Sequence, residues 1–266
     1  MSTDATAPTA PPRPGDSYVQ SFARGLAVIR SFSASAPSQT LADVARSAGL
    51  TRAGARRILL TLAQLGYVEA EGRQFRLTPR ILDLGFAYLS SLPLWNLAEP
   101  VMEALVAQVK ESCSAAVLDG HDIVYVLRVP THQIMSINLG TGSRLPAHCT
   151  SMGRVLLAGL PPEECRARLL AAPRQAHTAR TVTDVDTLML TIADVRRQGW
   201  CLVDQELEDG LVSLAAPILD RAGRTIAALN ISGQTHRTPA AQMQERLLPP
   251  LREAAQQISQ LLRMKA

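Results

Sequence analysis

The chain of 266 residues is 47% hydrophobic, 19% charged and only 4% aromatic, with a formal net charge of +4. It is long enough for one large domain or two ordinary ones, and its composition excludes a collagen-like, disulfide-knotted or wholly disordered protein. Because it has no run of 18 apolar residues and no basic segment leading into an apolar one at its start, we expect neither a membrane span nor a secretory signal, and we predict a cytoplasmic location.

Charge is distributed unevenly along the chain. Residues 1–80 contain ten arginines and five acidic residues, a net charge of +5, whereas the remaining residues have a net charge of −1. A basic front part on a nearly neutral body indicates a polyanionic partner for the front part alone.

The first predicted elements are a tail and a helix. Residues 1–16 are rich in alanine, proline and threonine, which predicts a disordered tail. From residue 17 the pattern changes, and apolar residues return at spacings of three and four through Phe22, Leu26 and Ile29. This spacing predicts an amphipathic helix that ends at the Ser/Ala/Pro-rich residues 33–38.

Residues 40–77 are the most informative stretch. Thr40 and Asp43 have the spacing of a capping box before a short apolar stripe, Gly49 supplies a tight turn, and Thr51 is suited to cap a second helix. The predicted buried stripe of that second helix is Ala55, Ile58, Leu59, Leu62 and Leu65. At 100° per residue, the opposite side carries Ala53, Arg56, Arg57 and Leu60, with Arg52 near its edge. A short helix, a glycine turn and a second helix with outward arginines predict a helix-turn-helix.

The alternating residues 67–77, with a turn around Gly72, predict a β-hairpin that carries Arg73 and Arg76 as a wing. Arginine can pair with phosphates and can donate two hydrogen bonds to a guanine edge. The pattern alone also fits a helical bundle with a solvated arginine face, but the wing and the local charge favour binding to double-stranded DNA. The predicted DNA-binding residues are Arg24, Gln39, Thr40, Thr51, Arg52, Ala53, Gly54, Arg56, Arg57, Arg73 and Arg76.

The second half of the chain predicts an α+β domain. Residues 80–112 have a helical pattern interrupted near Pro93 and Pro100, and strands follow in residues 113–129 and 134–146, the first pair around an Asp-Gly turn. Helices are predicted at 149–160, 161–172 and 184–198, then strands at 211–220 and 224–232, and a last helix at 239–264. Such an order is typical of a mainly antiparallel sheet with packed helices. The predicted divisions are a winged helix-turn-helix domain at 17–80, a linker helix at 81–98 and a second domain at 99–266.

Several of these segments together resemble the IclR family of bacterial transcription regulators, from Tyr18 to the C-terminus. The matching segments are SFARGLAVIRSF, LADVARSAGLTRAGARRILLTLAQLGYV, RLTPRILDLG, LPAHCTSMGRVLLA and GWCLVDQELEDGLVSLAAPILD. The segments YVQSFARGL, IVYVLRVPT and LVDQELEDGL are similar to the branch that regulates aromatic-acid breakdown through protocatechuate and β-ketoadipate. The chain departs from the family signature at Val203, where an acidic residue is usual.

The resemblance implies a winged N-terminal domain, a linker helix that pairs two subunits, and a GAF-like C-terminal domain that binds a small carboxylate effector. Dimers or tetramers would then grip two or more half-sites on operator DNA. RNA polymerase is a possible further partner, and no cofactor or metal is expected.

The predicted effector-binding residues combine helix geometry with this resemblance. Thr150 and Ser151 precede a predicted helix, where free backbone N–H groups and the helix dipole favour a carboxylate. Family pockets use this turn and the strand position of Ser213. Arg128 ends a strand with two apolar faces and needs a partner, which could be the ligand, Glu206, Glu208 or solvent. The full predicted set is Arg128, His148, Thr150, Ser151, Met152, Asp204, Glu206 and Ser213.

Two other function classes compete with this interpretation. A catalytic His148–Cys149 pair is disfavoured, because neighbouring residues rarely aim their side chains at each other and no G-x-S-x-G, H-E-x-x-H or P-loop motif is present, so we predict no enzymatic activity. The five histidines lack metal-ligand spacing, and the four cysteines lack a C-x-x-C motif. The other alternative is a metabolite-sensing module or GAF-like enzyme that does not bind DNA, which a DNA titration at several salt concentrations would distinguish.

Overall fold

The computed structural model describes residues 18–91, 94–131 and 139–264. Within these residues, the chain divides into two compact units between Tyr88 and Leu89. This division lies inside the segment 81–98 that the sequence predicts as a linker. The predicted tail at 1–16, the predicted interruption near Pro93 and residues 134–138 of a predicted strand all lie outside the described residues.

The N-terminal unit is a helix-turn-helix with a small antiparallel sheet. Its elements are α1 (Gln20–Arg30), β1 (Ser38–Thr40), α2 (Leu41–Ser47), α3 (Arg52–Gln64), β2 (Val68–Glu71), β3 (Gln74–Leu77), a 3₁₀ turn (Pro79–Ile81) and most of α4 (Leu82–Ser91), which runs past the division after Tyr88. The sheet has the order β1-β3-β2, and β2 and β3 form the predicted hairpin. The strand β1, which pairs with β3, was not predicted. Its residues are too few to show a period in the sequence, and the pairing with β3 creates the strand.

One expectation about buried residues in this unit is wrong. For α1 the sequence gives only the periodic spacing, and in the structure Phe22 and Leu26 are 68% and 37% exposed and Val28 is buried. Leu65 was expected to complete the buried stripe of α3 but is 51% exposed. Leu65 is the C-cap residue, where the chain leaves the helix and the helical spacing no longer sets the direction of the side chain.

The C-terminal unit contains one six-stranded sheet and five helices among the described residues. Its elements are α5 (Leu94–Val109), β4 (Ser112–Asp119), β5 (Asp122–Val129), β6 (Arg144–Pro146), α6 (Ser151–Ala158), α7 (Pro162–Ala171), α8 (Val185–Gln198), β7 (Cys201–Asp204), β8 (Leu211–Leu219), β9 (Thr225–Gln234) and α9 (Ala240–Met264). The sheet order is β6-β5-β4-β9-β8-β7, and every neighbouring pair is antiparallel. The predicted α+β class with a mainly antiparallel sheet is confirmed.

Each face of this sheet has its own apolar core. Residues of α5 and α9 pack on one face, and residues of α6, α7 and α8 pack on the other. The strand β5 contributes Val126 to the first core and Ile123 and Tyr125 to the second, so it is covered on both sides as its apolar pattern indicates. This arrangement places the first turn of α6 against one face of the sheet, next to β8 and β9.

Two local expectations in this unit are corrected. Pro100 does not interrupt the chain but lies within α5, because a proline one and a half turns into a helix removes one hydrogen bond without preventing the packing of the helix on the core. The strand β7 was not predicted, since it has only four residues, of which Cys201 and Val203 pack in one core and Leu202 packs against the other. Pairing with β8 makes this segment a strand.

Candidate functional site

The helix-turn-helix is built by local hydrogen bonds that the sequence indicates. The Thr40 side chain accepts a hydrogen bond from the Asp43 backbone N–H, and the Asp43 carboxylate accepts one from the Thr40 N–H, so the predicted capping box is present. The hydrogen bonds from Thr40 also lower the pKa of Asp43. Gly49 adopts a φ of 64° in the turn, and Thr51 caps α3 by accepting from Gly54 N–H. These contacts set the angle at which α3 leaves the turn.

The outer face of α3 has the side chains expected of a DNA-reading helix. Arg52, Ala53, Arg56 and Arg57 are exposed, and within the described part of the chain none of the three arginines makes an ion pair. A Cβ on Gly54 would lie 3.2 Å from the Thr51 hydroxyl, so this glycine leaves room for the cap of α3.

The other three arginines predicted to bind DNA differ in whether they make an ion pair with a described residue. Arg73 is exposed beside the hairpin turn, where Gly72 has a φ of 62°, and Arg24 is exposed on α1. Arg76 instead donates to Glu69 on the neighbouring strand, with 2.6 Å between Nε and Oε1. A phosphate would have to compete with Glu69 for Arg76, whereas Arg73 has no such competitor among the described residues.

The predicted phosphate contacts of the Gln39 and Thr40 side chains are wrong. Gln39 is 5% exposed, and its amide Nε2 donates to the Ser31 carbonyl oxygen at 2.7 Å. The Thr40 hydroxyl donates to Asp43 at 2.6 Å while capping α2. Both side chains therefore hold α1, β1 and α2 together and are not available to bind a nucleic acid.

A cavity in the C-terminal unit lies between the first turn of α6 and the sheet. Of the predicted effector-binding residues, Thr150, Ser151, Met152 and Ser213 line it. The other lining residues are Tyr125, Leu139, Leu145, Cys149, Val203, Leu207, Leu211, Asn230 and Ser232. None of these nine residues was predicted as an effector ligand, because they are spread over residues 125–232 and no local pattern connects them.

The first turn of α6 has the geometry of an anion site. The Thr150 hydroxyl accepts from Gly153 N–H at 3.2 Å and donates to the Pro146 carbonyl at 3.0 Å. The N–H groups of Ser151 and Met152, at the first two helical positions, have no partner within a helix and lie at the cavity wall. Gly153 allows this turn to approach the preceding segment closely, since a Cβ there would lie 2.6 Å from the Ala147 carbonyl carbon.

The cavity wall carries no ionised side chain among the described residues that line it. Burial raises the pKa of Tyr125 to about 12 and also raises the pKa of Cys149 to about 12, so both are neutral at physiological pH. The sheet side presents the hydroxyl groups of Ser213 and Ser232 and the amide of Asn230. An anion inside the cavity would therefore be neutralised by backbone N–H groups, the dipole of α6 and charges behind the wall.

Arg128 supplies one charge near this cavity without lining it. It lies opposite Ser114 in the β4–β5 pairing, and its positive charge lowers the pKa of Tyr125 against the larger effect of burial. Ser114 is buried, and its hydroxyl is an unsatisfied polar atom among the described residues, while its backbone N–H donates to Asn230 at 3.0 Å.

Three of the predicted effector-binding residues have other partners and do not line the cavity. Glu206 forms a buried ion pair with Arg154, and Asp204 pairs with Arg180 at 2.6 Å near the surface. The His148 ring lies 3.3 Å from the Gln175 carbonyl and beside His177. The prediction that these three side chains contact an effector in this cavity is therefore wrong. Each of them already binds a partner in another segment of the chain.

Arg154 is a residue that the sequence analysis missed. It is 3% exposed in the middle of α6, and it donates to both carboxylate oxygens of Glu206 and to the His148 carbonyl. A signal was available, because an arginine inside the apolar stretch MGRVLLAGL needs a partner by the same argument that singled out Arg128.

His148 gives a testable pH dependence. Burial lowers the pKa of His148 below its ordinary value of 6.5, so the unfolded chain binds more protons than the folded one between the lowered pKa and 6.5. Neutral His148 therefore contributes its full share to folding stability above pH 6.5, and this share is lost as the pH falls from 6.5 to the lowered pKa. We expect His148→Gln, which can still donate to the Gln175 carbonyl, to show a smaller drop in thermal midpoint between about pH 7.5 and about pH 5.5 than wild type. His121→Gln, at an exposed site, is the control, and equal drops in wild type and His148→Gln would contradict the assignment.

None of the described helices combines the length and apolar character required to cross a membrane. The described residues also contain no group of three or more His, Cys, Asp or Glu side chains suited to hold a metal ion.

Comparison with known proteins identifies the family. The family model described as "Bacterial transcriptional regulator IclR C-terminal" matches residues 86–260, and the "IclR helix-turn-helix domain" matches residues 21–72. The chain belongs to the IclR family. The first match alone covers more than half of its residues, and members of this family are transcriptional regulators, which is the class that the helix-turn-helix predicts.

Individual relatives of this IclR-family regulator agree with that result. The Pca regulon regulatory protein of Pseudomonas putida is 43% identical over 91% of this chain and 83% of its own length. A putative transcriptional regulator from Rhodococcus sp. RHA1, known from a crystal structure, is 53% identical in sequence to this chain. Its structure matches with a TM-score of 0.83, covering 92% of this chain and 98% of that one. An IclR homologue from Microbacterium hydrocarbonoxydans, complexed with 4-hydroxybenzoate, is 29% identical, with a TM-score of 0.82 over 92% and 100% of the two chains.

Proposed function

We propose that this regulator reads operator DNA with α3 and that a small aromatic carboxylate in the cavity beside α6 controls its activity. On the DNA side, the exposed Arg52, Arg56 and Arg57, which make no ion pair with any described residue, enter the major groove. Arg24 and Arg73 pair with phosphates, Arg76 joins them by exchanging Glu69 for a phosphate, and Thr51, Ala53 and Gly54 let the backbone of α3 come close to the DNA.

The cavity chemistry carries the effector half of the proposal. The described lining residues carry no ionised side chain, and the first turn of α6 forms part of the wall, an arrangement that suits a flat apolar ring with one carboxylate. The carboxylate accepts from Ser151 and Met152 N–H, and Arg128 supports it electrostatically from behind Tyr125. The hydroxyl and amide groups of Ser213, Ser232 and Asn230 suit a ring hydroxyl or a second polar group. No carboxylate or imidazole among the described lining residues offers a general base, so we assign the cavity to binding and not to catalysis.

The comparisons support an aromatic acid of the protocatechuate and β-ketoadipate pathways. One structural neighbour is complexed with 4-hydroxybenzoate, and the similar Pseudomonas putida protein regulates a pca regulon. The experiment that tests the proposal is calorimetric titration of the full chain with 4-hydroxybenzoate, protocatechuate and β-ketoadipate, with 4-hydroxybenzamide as the uncharged control. We expect 4-hydroxybenzoate or protocatechuate to bind and to raise the thermal midpoint with concentration, and the amide to bind far more weakly. Binding of the aliphatic β-ketoadipate alone would overturn the assignment of an aromatic effector, and absence of binding by all three acids would overturn the effector assignment as a whole.

Ser151→Pro tests the backbone N–H directly. Proline is favoured at the first position of a helix, and the extended conformation of Thr150 is compatible with a following proline, so the change removes one N–H with little cost to α6. We expect the dissociation constant of the bound acid to rise about 10- to 100-fold, which corresponds to one hydrogen bond to a charged group. Ser151→Ala keeps the N–H and serves as the control for loss of the hydroxyl, and equal effects of the two variants would show that the Ser151 N–H does not bind the carboxylate.

Assembly completes the proposal. Apolar side chains of the N-terminal unit are exposed immediately before α1, on α1 and on α4, namely Tyr18, Val19, Phe22, Leu26, Leu82, Leu84, Phe86 and Tyr88. Their burial against a second copy would explain these exposed faces, and we propose a dimer or a dimer of dimers on paired half-sites. Segment 81–98 would then act as the linker through which effector binding favours one arrangement of the domains, with the regulator acting in the cytoplasm beside RNA polymerase.

A further inference from the structure

The buried Arg154–Glu206 pair connects three separate segments behind the cavity. Both terminal nitrogens of Arg154 lie 2.6 Å from a carboxylate oxygen of Glu206, and its Nε lies 2.8 Å from the His148 carbonyl. The Glu206 carboxylate also accepts from Val182 N–H at 3.0 Å. All the polar atoms of the carboxylate and three of the guanidinium N–H groups are therefore used within the protein.

The three segments are the first half of α6, the loop 205–210 that follows β7, and residues 174–183. Thr178 and Thr181 donate to the carbonyl oxygens of Gln205 and Glu206 at 2.7 Å and 2.6 Å, which fastens residues 174–183 to the loop. The loop also contains Gln205 with a φ of 61°, an unfavourable backbone conformation for this residue type. Glu206 therefore attaches the loop both to α6 and to residues 174–183.

Two of these segments form parts of the cavity wall. The loop supplies Leu207, the residue after Glu206, and α6 supplies Ser151 and Met152, within one turn of Arg154. The Arg154–Glu206 bond therefore links the turn whose N–H groups are proposed to bind the carboxylate to the loop that supplies an apolar residue of the wall.

We propose that Arg154 and Glu206 are positioning residues that hold the first turn of α6 and the loop 205–210 at the spacing that an effector requires. The inference rests on the proposed function, because it assigns these residues to the same cavity. Stability alone does not explain the pair, since well-packed apolar residues of similar volume commonly replace a buried ion pair without loss of stability. The bond instead provides direction, because a guanidinium donates two parallel hydrogen bonds to a carboxylate in one geometry.

The experiment compares wild type with the double variant Arg154→Met/Glu206→Leu, which replaces the pair by apolar side chains of similar size. We expect the dissociation constant for 4-hydroxybenzoate to rise at least about tenfold while effector-free operator affinity stays within about twofold and the thermal midpoint within about 5 °C. Arg166→Gln/Asp186→Asn removes an exposed ion pair between α7 and α8 and is expected to leave all three quantities unchanged. An effector affinity of the Met/Leu variant within twofold of wild type would overturn the proposal.

Hydrogen exchange gives a readout that does not depend on the ligand. In the effector-free protein, we expect the backbone amides of residues 149–153 to exchange at least about tenfold faster in the Met/Leu variant than in wild type, and unchanged exchange would overturn the positioning role. If wild type binds no acid at all, the proposed effector function fails and this measurement still decides the role of the pair. Should the Met/Leu variant not fold, Arg154→Lys keeps the charge but removes the paired geometry, and the same two results are expected of it in smaller degree.

Discussion

Replacing Arg56 with alanine is expected to weaken operator binding by about 1–3 kcal/mol, roughly 5- to 150-fold, and to relax the choice of base at one position of each half-site. Arg56 lies on the outer face of α3, exposed and without an ion pair among the described residues. Its guanidinium therefore enters a complex without first breaking a bond inside the protein. A guanidinium that donates two hydrogen bonds to a guanine edge loses both when the side chain is truncated.

The measurement is a fluorescence titration of the wild type and the variant against the same promoter fragment at several salt concentrations. Arg73→Ala, at the wing, is expected to lower affinity for all sequences alike and to reduce the salt slope by about one, as loss of a phosphate contact requires. Arg197→Ala removes an exposed arginine of the C-terminal unit and is the charge-matched control. If Arg56→Ala bound the operator as tightly as the control does, α3 would not be the reading helix. If the wild-type protein did not bind promoter DNA in the presence or absence of the candidate effector acids, the DNA-binding role itself would be wrong.

Replacing Gly153 with alanine is expected to destabilise the C-terminal unit by about 3 kcal/mol or more and to abolish effector binding. The added Cβ would overlap the backbone of Ala147, at its carbonyl oxygen, its Cα and its carbonyl carbon. Backbone atoms cannot move aside as the end of a flexible side chain can, so α6 must shift away from residues 146–148. That shift would also displace the Thr150 cap and the N–H groups of Ser151 and Met152.

Thermal unfolding and calorimetric titration of 4-hydroxybenzoate together test the Gly153 prediction. Gly25→Ala is the control, because a Cβ at that position of α1 meets nothing within 4 Å and alanine is the better helix former by about 1 kcal/mol. We expect that change to leave effector binding unaffected and to raise the stability of the N-terminal unit slightly. A Gly153→Ala variant that melts and binds like wild type would show that the segment before α6 yields easily and does not set the geometry of the cavity.

Features that depend on neighbouring residues in the chain could be predicted from the sequence. The capping box of α2, the glycine turn, the cap of α3 and the outward arginines all follow from spacings of one to four residues, which fix hydrogen bonds and helix faces locally. The same reasoning located the helix N-terminus at Thr150. Segments taken together also predicted the IclR family, which the comparisons confirm.

Contacts between distant residues were decided only by the tertiary structure. Gln39 lies between two predicted elements, and no local rule shows that its amide is buried against the Ser31 carbonyl. Glu206 and Asp204 have the spacing of a polar pair on a strand, yet their partners, Arg154 and Arg180, are 52 and 24 residues away.

The physical reason for this difference is that a periodic pattern reports which face of an element is apolar but not which element covers it. The sequence by itself therefore determined that the front of this protein is a helix-turn-helix with outward arginines and that a helix begins at Ser151. The folded sheet, through its register and its two covered faces, decided which polar groups surround the cavity and which are bound behind its wall.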